Sequence, residues 1–99
     1  MTTKAKQYLE KSRGKLTLGS AIRSIRLCEE KSQTAFAKKL KISVQYLCDL
    51  EHNRKIVSPQ KAKKMAEILG YSPEQFVALA IQDSLDYYHI NMLVEIKAA

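Results

Sequence analysis

The sequence predicts an all-α domain of five short helices, followed by one strand near the C-terminus. Three observations carry this. Apolar residues recur at helical spacing in five successive segments. Each segment opens on a Ser or Thr able to cap it, at Thr17, Ser32, Ser43, Ser58 and Ser72. Only the stretch 89–97 alternates with a period of two.

The elements follow in order. Residues 1–16 lack a strong core pattern and are expected as a flexible basic arm. Thr17 opens the first helix, with Leu18, Ala21, Ile22, Ile25 and Cys28 on one face. Ser32 opens the second, which turns Phe36, Ala37 and Leu40 inward. Lys41-Ile42 makes a tight turn. Ser43 then caps a third helix, residues 44–52, with Leu47, Leu50 and Glu51 on one side. Ser58-Pro59 starts the fourth helix, because proline at the first helical position forfeits no hydrogen bond. Ala62, Met65, Ala66 and Leu69 form its stripe, and Gly70 ends it. Ser72-Pro73-Glu74-Gln75 reads as a capping box opening a fifth helix that runs to about Leu85.

The apolar set of that fifth helix is too broad for one stripe, which suggests burial against a second subunit. Ile90, Met92, Val94 and Ile96 then alternate with Asn91, Leu93, Glu95 and Lys97. A strand there needs a backbone neighbour, and the same segment of a second copy is the simplest one. Phe76, Ile81, Leu85, Ile90, Met92, Val94 and Ile96 are the expected dimer contacts. The alternative is a sixth helix, since Ile90, Leu93, Val94 and Lys97 also share a helical face. Residues 17–70 are thus read as the core, and 71–99 as an extension for dimerisation or partner binding.

Ninety-nine residues with 45% hydrophobic content suit one domain with one modest core. No apolar run approaches the ~20 residues of a membrane span. The charged N-terminus does not read as a secretion signal. Cys28 and Cys48 fit a reducing cytoplasm and are too few for a disulfide framework or a zinc site. The net charge of +7 is unevenly spread. Residues 1–64 hold 16 Lys/Arg and 5 Asp/Glu (+11), and residues 65–99 hold 1 Lys and 5 Asp/Glu (−4). The basic portion suits phosphates, and the acidic one a different surface.

The third helix carries the chemistry. Gln45, Asp49 and His52 fall on the side opposite Leu47 and Leu50. A short polar face beside a basic loop suits a major groove, where base edges are read by hydrogen bonds. Gln45 offers a donor and an acceptor, matching adenine N6 and N7. Asp49 is expected to accept from cytosine N4. Ser43 and Val44 lie at the end that approaches the bases, and Val44 suits a thymine methyl. Tyr46 on the flank suits packing or a phosphate. Gln33 opens the second helix, whose backbone N–H groups favour a phosphate. Asn53, Arg54 and Lys55 are placed to hold the sugar-phosphate backbone.

Residues 18–69 resemble the helix-turn-helix of the phage-repressor, Cro-like or Xre family of transcription regulators. Gln33, Ala37, Ile42, Leu47, Leu50 and Glu51 stand at that family's spacing. The resemblance implies a repressor-like fold and a sequence-specific DNA-binding homodimer, most simply a repressor on a palindromic operator. It also implies an ion pair between Arg26 and Glu51 that pins the third helix to the scaffold. FAKKLKISVQYLCDLEHNRKIVSP followed by LGYSPEQFVALAIQD is also similar to Xre-type antitoxins. That likeness implies a basic protein toxin as a second partner and control of the protein's own operon. Two positions depart from the family: Lys41 and Asn53 stand where glycine is usual. A left-handed lysine costs roughly 1 kcal/mol, and asparagine less.

Enzymatic function is not expected. The sequence shows no carboxylate pair, metal-spaced His/Cys cluster, phosphate loop or nucleophile–His set, and no cofactor is implied. Nor does it show an aromatic platform of the kind that stacks RNA bases.

Overall fold

The computed structural model describes residues 16–97. The expected basic arm, Leu16 apart, lies outside the described residues. Among the described residues five helices follow one another: α1 Leu18–Cys28, α2 Gln33–Leu40, α3 Val44–Glu51, α4 Pro59–Leu69 and α5 Pro73–Tyr87.

All five begin on the expected caps. The hydroxyl oxygens of Thr17, Ser32, Ser43, Ser58 and Ser72 each accept the backbone N–H three residues on. The capping box, however, forms at Thr17, where the Ser20 hydroxyl accepts the Thr17 N–H at 2.9 Å. At Ser72 the hydroxyl donates instead to Glu74, at 3.1 Å.

All five also end alike. A left-handed residue follows each helix within two positions: Glu30, Lys41, Asn53, Gly70 and His89. The next N–H reaches back to a last-turn carbonyl, at Lys31→Arg26, Ile42→Ala37, Arg54→Asp49, Tyr71→Ala66 and Ile90→Leu85. These bonds satisfy carbonyls that a helix end leaves open and turn the chain sharply. Four of the five residues have a side chain, so the protein carries strain that glycine lacks. Lys41, at φ 60 and ψ 42, is the clearest case. Lys41→Gly should raise stability by about 1 kcal/mol. A urea midpoint unchanged or lowered in that variant would show that the turn is not strained.

The core joins all five helices. Leu18, Ile22, Phe36, Leu47 and Leu50 are fully buried, with Ala62, Met65, Ala66, Phe76 and Ala80 around them. Val57, in the loop before α4, closes the core and was not anticipated. Phe76 therefore serves this core rather than a dimer face, because its ring is only 4% exposed. Cys28, expected on the inner face of α1, is exposed. Gly19, outside the expected stripe, is buried.

α5 packs along α4 and also caps α1. The Asp83 carboxylate accepts the Leu18 N–H at 3.0 Å, placing an anion at the positive end of α1. Burial pushes this carboxyl up to about 6, the Leu18 hydrogen bond opposes that, and neighbouring Asp86 adds to it. A pKa raised on folding means that the folded state favours the protonated form. The group's contribution to stability therefore falls as pH rises from about 4 through about 6. Asp83→Asn keeps an acceptor for Leu18 and should gain on the native protein across that window. A melting-temperature difference between the two that stays constant from pH 4 to pH 7.5 would contradict this.

No strand is present among the described residues, and 90–97 is not a sixth helix either. His89, in left-handed conformation at φ 57, ends α5 and turns the chain. The buried Gln82 side chain then clips the segment. Its Nε2 donates to the Met92 carbonyl and its Oε1 accepts the Val94 N–H, both at 2.9 Å. One side-chain amide thus stands in for one residue of a neighbouring strand. A ladder needs a whole segment opposite, and none stands there among the described residues.

Candidate nucleic-acid interface

α3 is eight residues long and is held from behind at several points. Leu47 and Leu50 sink into the core. Glu51 is buried and receives two bonds from Arg26, from Nε at 2.7 Å and Nη2 at 2.9 Å. Arg26 also donates to the Lys31 carbonyl at 3.0 Å. Burial pushes the Glu51 carboxyl up, but the bonds from Arg26 and Gln33 outweigh it and hold it below the usual range. The expected pair is therefore present, as a two-bond fork.

Gln33 joins this network rather than pointing outward. Its Nε2 donates to Glu51 Oε1 at 3.1 Å. The start of α2 is thereby tied to the end of α3, and the phosphate contact expected of the backbone N–H groups there does not depend on this side chain.

Two further clamps were not anticipated. Gly19 lies against the last turn of α3 so closely that a Cβ there would sit 1.8 Å from the Leu50 carbonyl oxygen. Asn53 accepts the Thr17 hydroxyl at 2.5 Å. The first carried one sequence signal, a glycine inside a helix, where it costs about 1 kcal/mol relative to alanine and so suggests close packing. The second spans 36 positions and carried none.

With its inner face fixed, α3 turns Val44, Gln45 and His52 outward. Val44 is 41% exposed at the N-terminal end. The Ser43 hydroxyl caps the helix through the Tyr46 N–H at 3.0 Å. Tyr46 itself is half-buried against the core, with Lys61 Nζ 4.9 Å from its ring centre. A cation over the ring face is attracted to its π density. His52 Nδ1 lies 2.8 Å from the Cys48 carbonyl oxygen, which turns this ring nitrogen back onto its own helix.

Asp49 differs from expectation. Gln45 Nε2 donates to its Oδ1 at 3.1 Å, and Arg54 Nε donates to the same oxygen at 3.0 Å. The Arg54 hydrogen bond, with help from Gln45, holds this carboxyl below the usual range. Asp49 in turn raises the Arg54 guanidinium. Its negative charge is thus matched by the cations of Arg54 and Lys55. Arg54 and Lys55 are exposed beyond the helix end.

The arrangement is therefore a short helix with a pinned back, a polar front and a cationic flank. Among the described residues no group of three His, Cys, Asp or Glu is placed to hold a metal. None of the helices among the described residues is long and apolar enough to cross a membrane. A family model described as helix-turn-helix matches residues 22–76, more than half of the chain and the whole of α2, α3 and α4. No curated protein and no solved structure gives a match.

Proposed function

This chain belongs to the helix-turn-helix family of the Cro/C1 type, a family of DNA-binding transcription regulators and not of enzymes, and from that premise we propose that it is a sequence-specific repressor acting as a homodimer. The observation that carries the proposal is α3 itself. Its scaffold side is fixed by Arg26, Gln33 and Gly19, while Val44 and Gln45 face outward, where base edges would lie. Ser43 and the backbone at Gln33 meet flanking phosphates, as do Tyr46, His52, Asn53, Arg54 and Lys55. Phosphate contacts set the register and the α3 front selects sequence.

Two copies would present α3 about one DNA turn, ~34 Å, apart to a palindrome. The surface for the second copy is the C-terminal extension. Tyr87, Tyr88, Met92 and Leu93 are each more than 60% exposed there, and Ile90 is 40% exposed. With Gln82 on one side of 92–94, an extended backbone turns the Leu93 N–H and C=O to the other side, where a second chain could add. Ile81, Leu85, Val94 and Ile96 are partly buried in the single chain and border the same surface.

Selection of bound duplexes from random DNA tests this reading. The expected motif is a palindrome with half-sites one turn apart, bound with an affinity that falls steeply with salt. Absence of any preferred motif at low ionic strength would overturn it. The same acidic, apolar extension favours a second reading, that of an antitoxin that grips a basic toxin and controls its own operon. Co-purification with the product of a neighbouring small basic reading frame supports this. A stable dimer that ignores that product rules it out.

A further inference from the structure

We propose that Asp49 reads no base itself but positions Gln45 and Arg54, so that Gln45 presents one fixed edge to an adenine. The proposal rests on the DNA-binding reading and specifies how its central contact is built.

The geometry is specific. Oδ1 of Asp49 is shared by Gln45 Nε2 at 3.1 Å and Arg54 Nε at 3.0 Å. The Asp49 side chain is only 17% exposed, against 54% for Arg54. Asp49 therefore lies beneath the groups that reach outward.

The chemistry fixes the orientation. An ionised carboxylate accepts hydrogen bonds and donates none. The end of the Gln45 amide that faces Asp49 must then be its NH2 group, since its carbonyl would face a like acceptor. A free glutamine can turn its amide over and present either order of donor and acceptor. Held on Asp49, it keeps one N–H on the carboxylate. The second N–H and Oε1 then form an outward donor–acceptor pair, and adenine N7 and N6 offer the complementary pattern in the major groove.

Arg54 is the other half of the device. It matches the Asp49 charge, which would otherwise repel phosphates on both sides of the groove. In return its Nε is fixed while its Nη2 also donates to Cys48 Sγ at 3.6 Å. One carboxylate thus orders a base reader one helical turn before it and a cation just past the helix end.

The test is selection from random DNA with the full chain and four variants: Gln45→Ala, Asp49→Ala, Asp49→Asn and the double alanine variant. The native chain should select one adenine per half-site through Gln45. Gln45→Ala and Asp49→Ala should lose preference at the same base pair, each by roughly tenfold. The double variant should lose no more than either single one. Asp49→Asn retains an acceptor but adds a donor that can hold the Gln45 amide either way up, so it should weaken the preference at that same base pair, by less than Asp49→Ala does. Asp49→Ala should also bind non-specific DNA more tightly, because a negative charge is gone and Arg54 is released.

If Asp49→Ala relaxes a base pair other than the one Gln45→Ala relaxes, Asp49 is a direct reader and the proposal is overturned. The same holds if Asp49→Asn switches the base chosen at a separate position, or if Asp49→Ala leaves every preference intact. A native chain that selects no motif overturns the base-reading function as a whole. That result is distinct from a native motif with separable effects at 45 and 49.

Discussion

Glu51→Ala should lower the unfolding free energy by about 3 kcal/mol, near the lower end of what breaking a buried ion pair costs. The Glu51 side chain is 1% exposed and Arg26 12% exposed. Removal of the carboxylate leaves a guanidinium nearly enclosed, with the Lys31 carbonyl as its remaining partner. Gln33 loses its acceptor as well. Three elements, α1, α2 and α3, then come apart at one point. The folded carboxyl titrates below its unfolded value, so the pair's stabilisation is present above the ordinary glutamate range. It is lost as pH falls through the lowered folded value, and the gap between the native protein and the variant should narrow in acid. Urea unfolding at pH 7 and below pH 4 measures both. A loss under about 1 kcal/mol at pH 7 would place this pair among exposed ones, which contribute little.

Gly19→Ala should cost about 2–3 kcal/mol, the upper part of the range for overpacking. Most glycines inside helices behave in the opposite way, because alanine is the better helix former by about 1 kcal/mol. Here the added carbon would lie 1.8 Å from the Leu50 carbonyl oxygen and 2.8 Å from its carbon. Both are backbone atoms, and a Cβ has no rotamer with which to escape. Either α1 lifts away or the last turn of α3 gives. The melting temperature should fall by roughly 10–20 °C. Because either outcome loosens the seat of α3, affinity for the selected DNA motif should fall further than the unfolded fraction explains. A variant as stable as the native protein would show that α1 and α3 approach less closely than described.

These two sites differ in how visible they are in the chain. The ion pair was expected only from the family's pattern, since nothing in the spacing of Arg26 and Glu51 brings them together. The Gly19 contact and the Thr17–Asn53 bond were missed, because each depends on the distance between two helices. The spacing says nothing of a partner for the Gln33 side chain, which bonds to Glu51, while the phosphate contact expected at that helix start concerns backbone N–H groups. The broad apolar pattern of α5 points Phe76 to a dimer face. That pattern cannot distinguish one buried side from two, and the core took the ring. The period-two run at 90–96 met its limit differently. Alternation reports which residues suit a strand, but a strand exists only where a backbone partner stands beside it.

Within the sequence lay most of what is local: five Ser or Thr caps, the greater part of the stripes behind them, the glycine after α4 and the outward placement of Val44 and Gln45 on α3. Each depends on residues within about a turn of one another, and hydrogen-bond geometry over that span is set by the chain itself. The tertiary structure alone decided which polar groups meet. Asp49 answers to Arg54, Gln33 to Glu51, Asp83 to the start of α1 and Gln82 to the terminal segment. A partly buried polar atom takes the partner that packing brings within 3 Å or so, and packing is a property of the whole core.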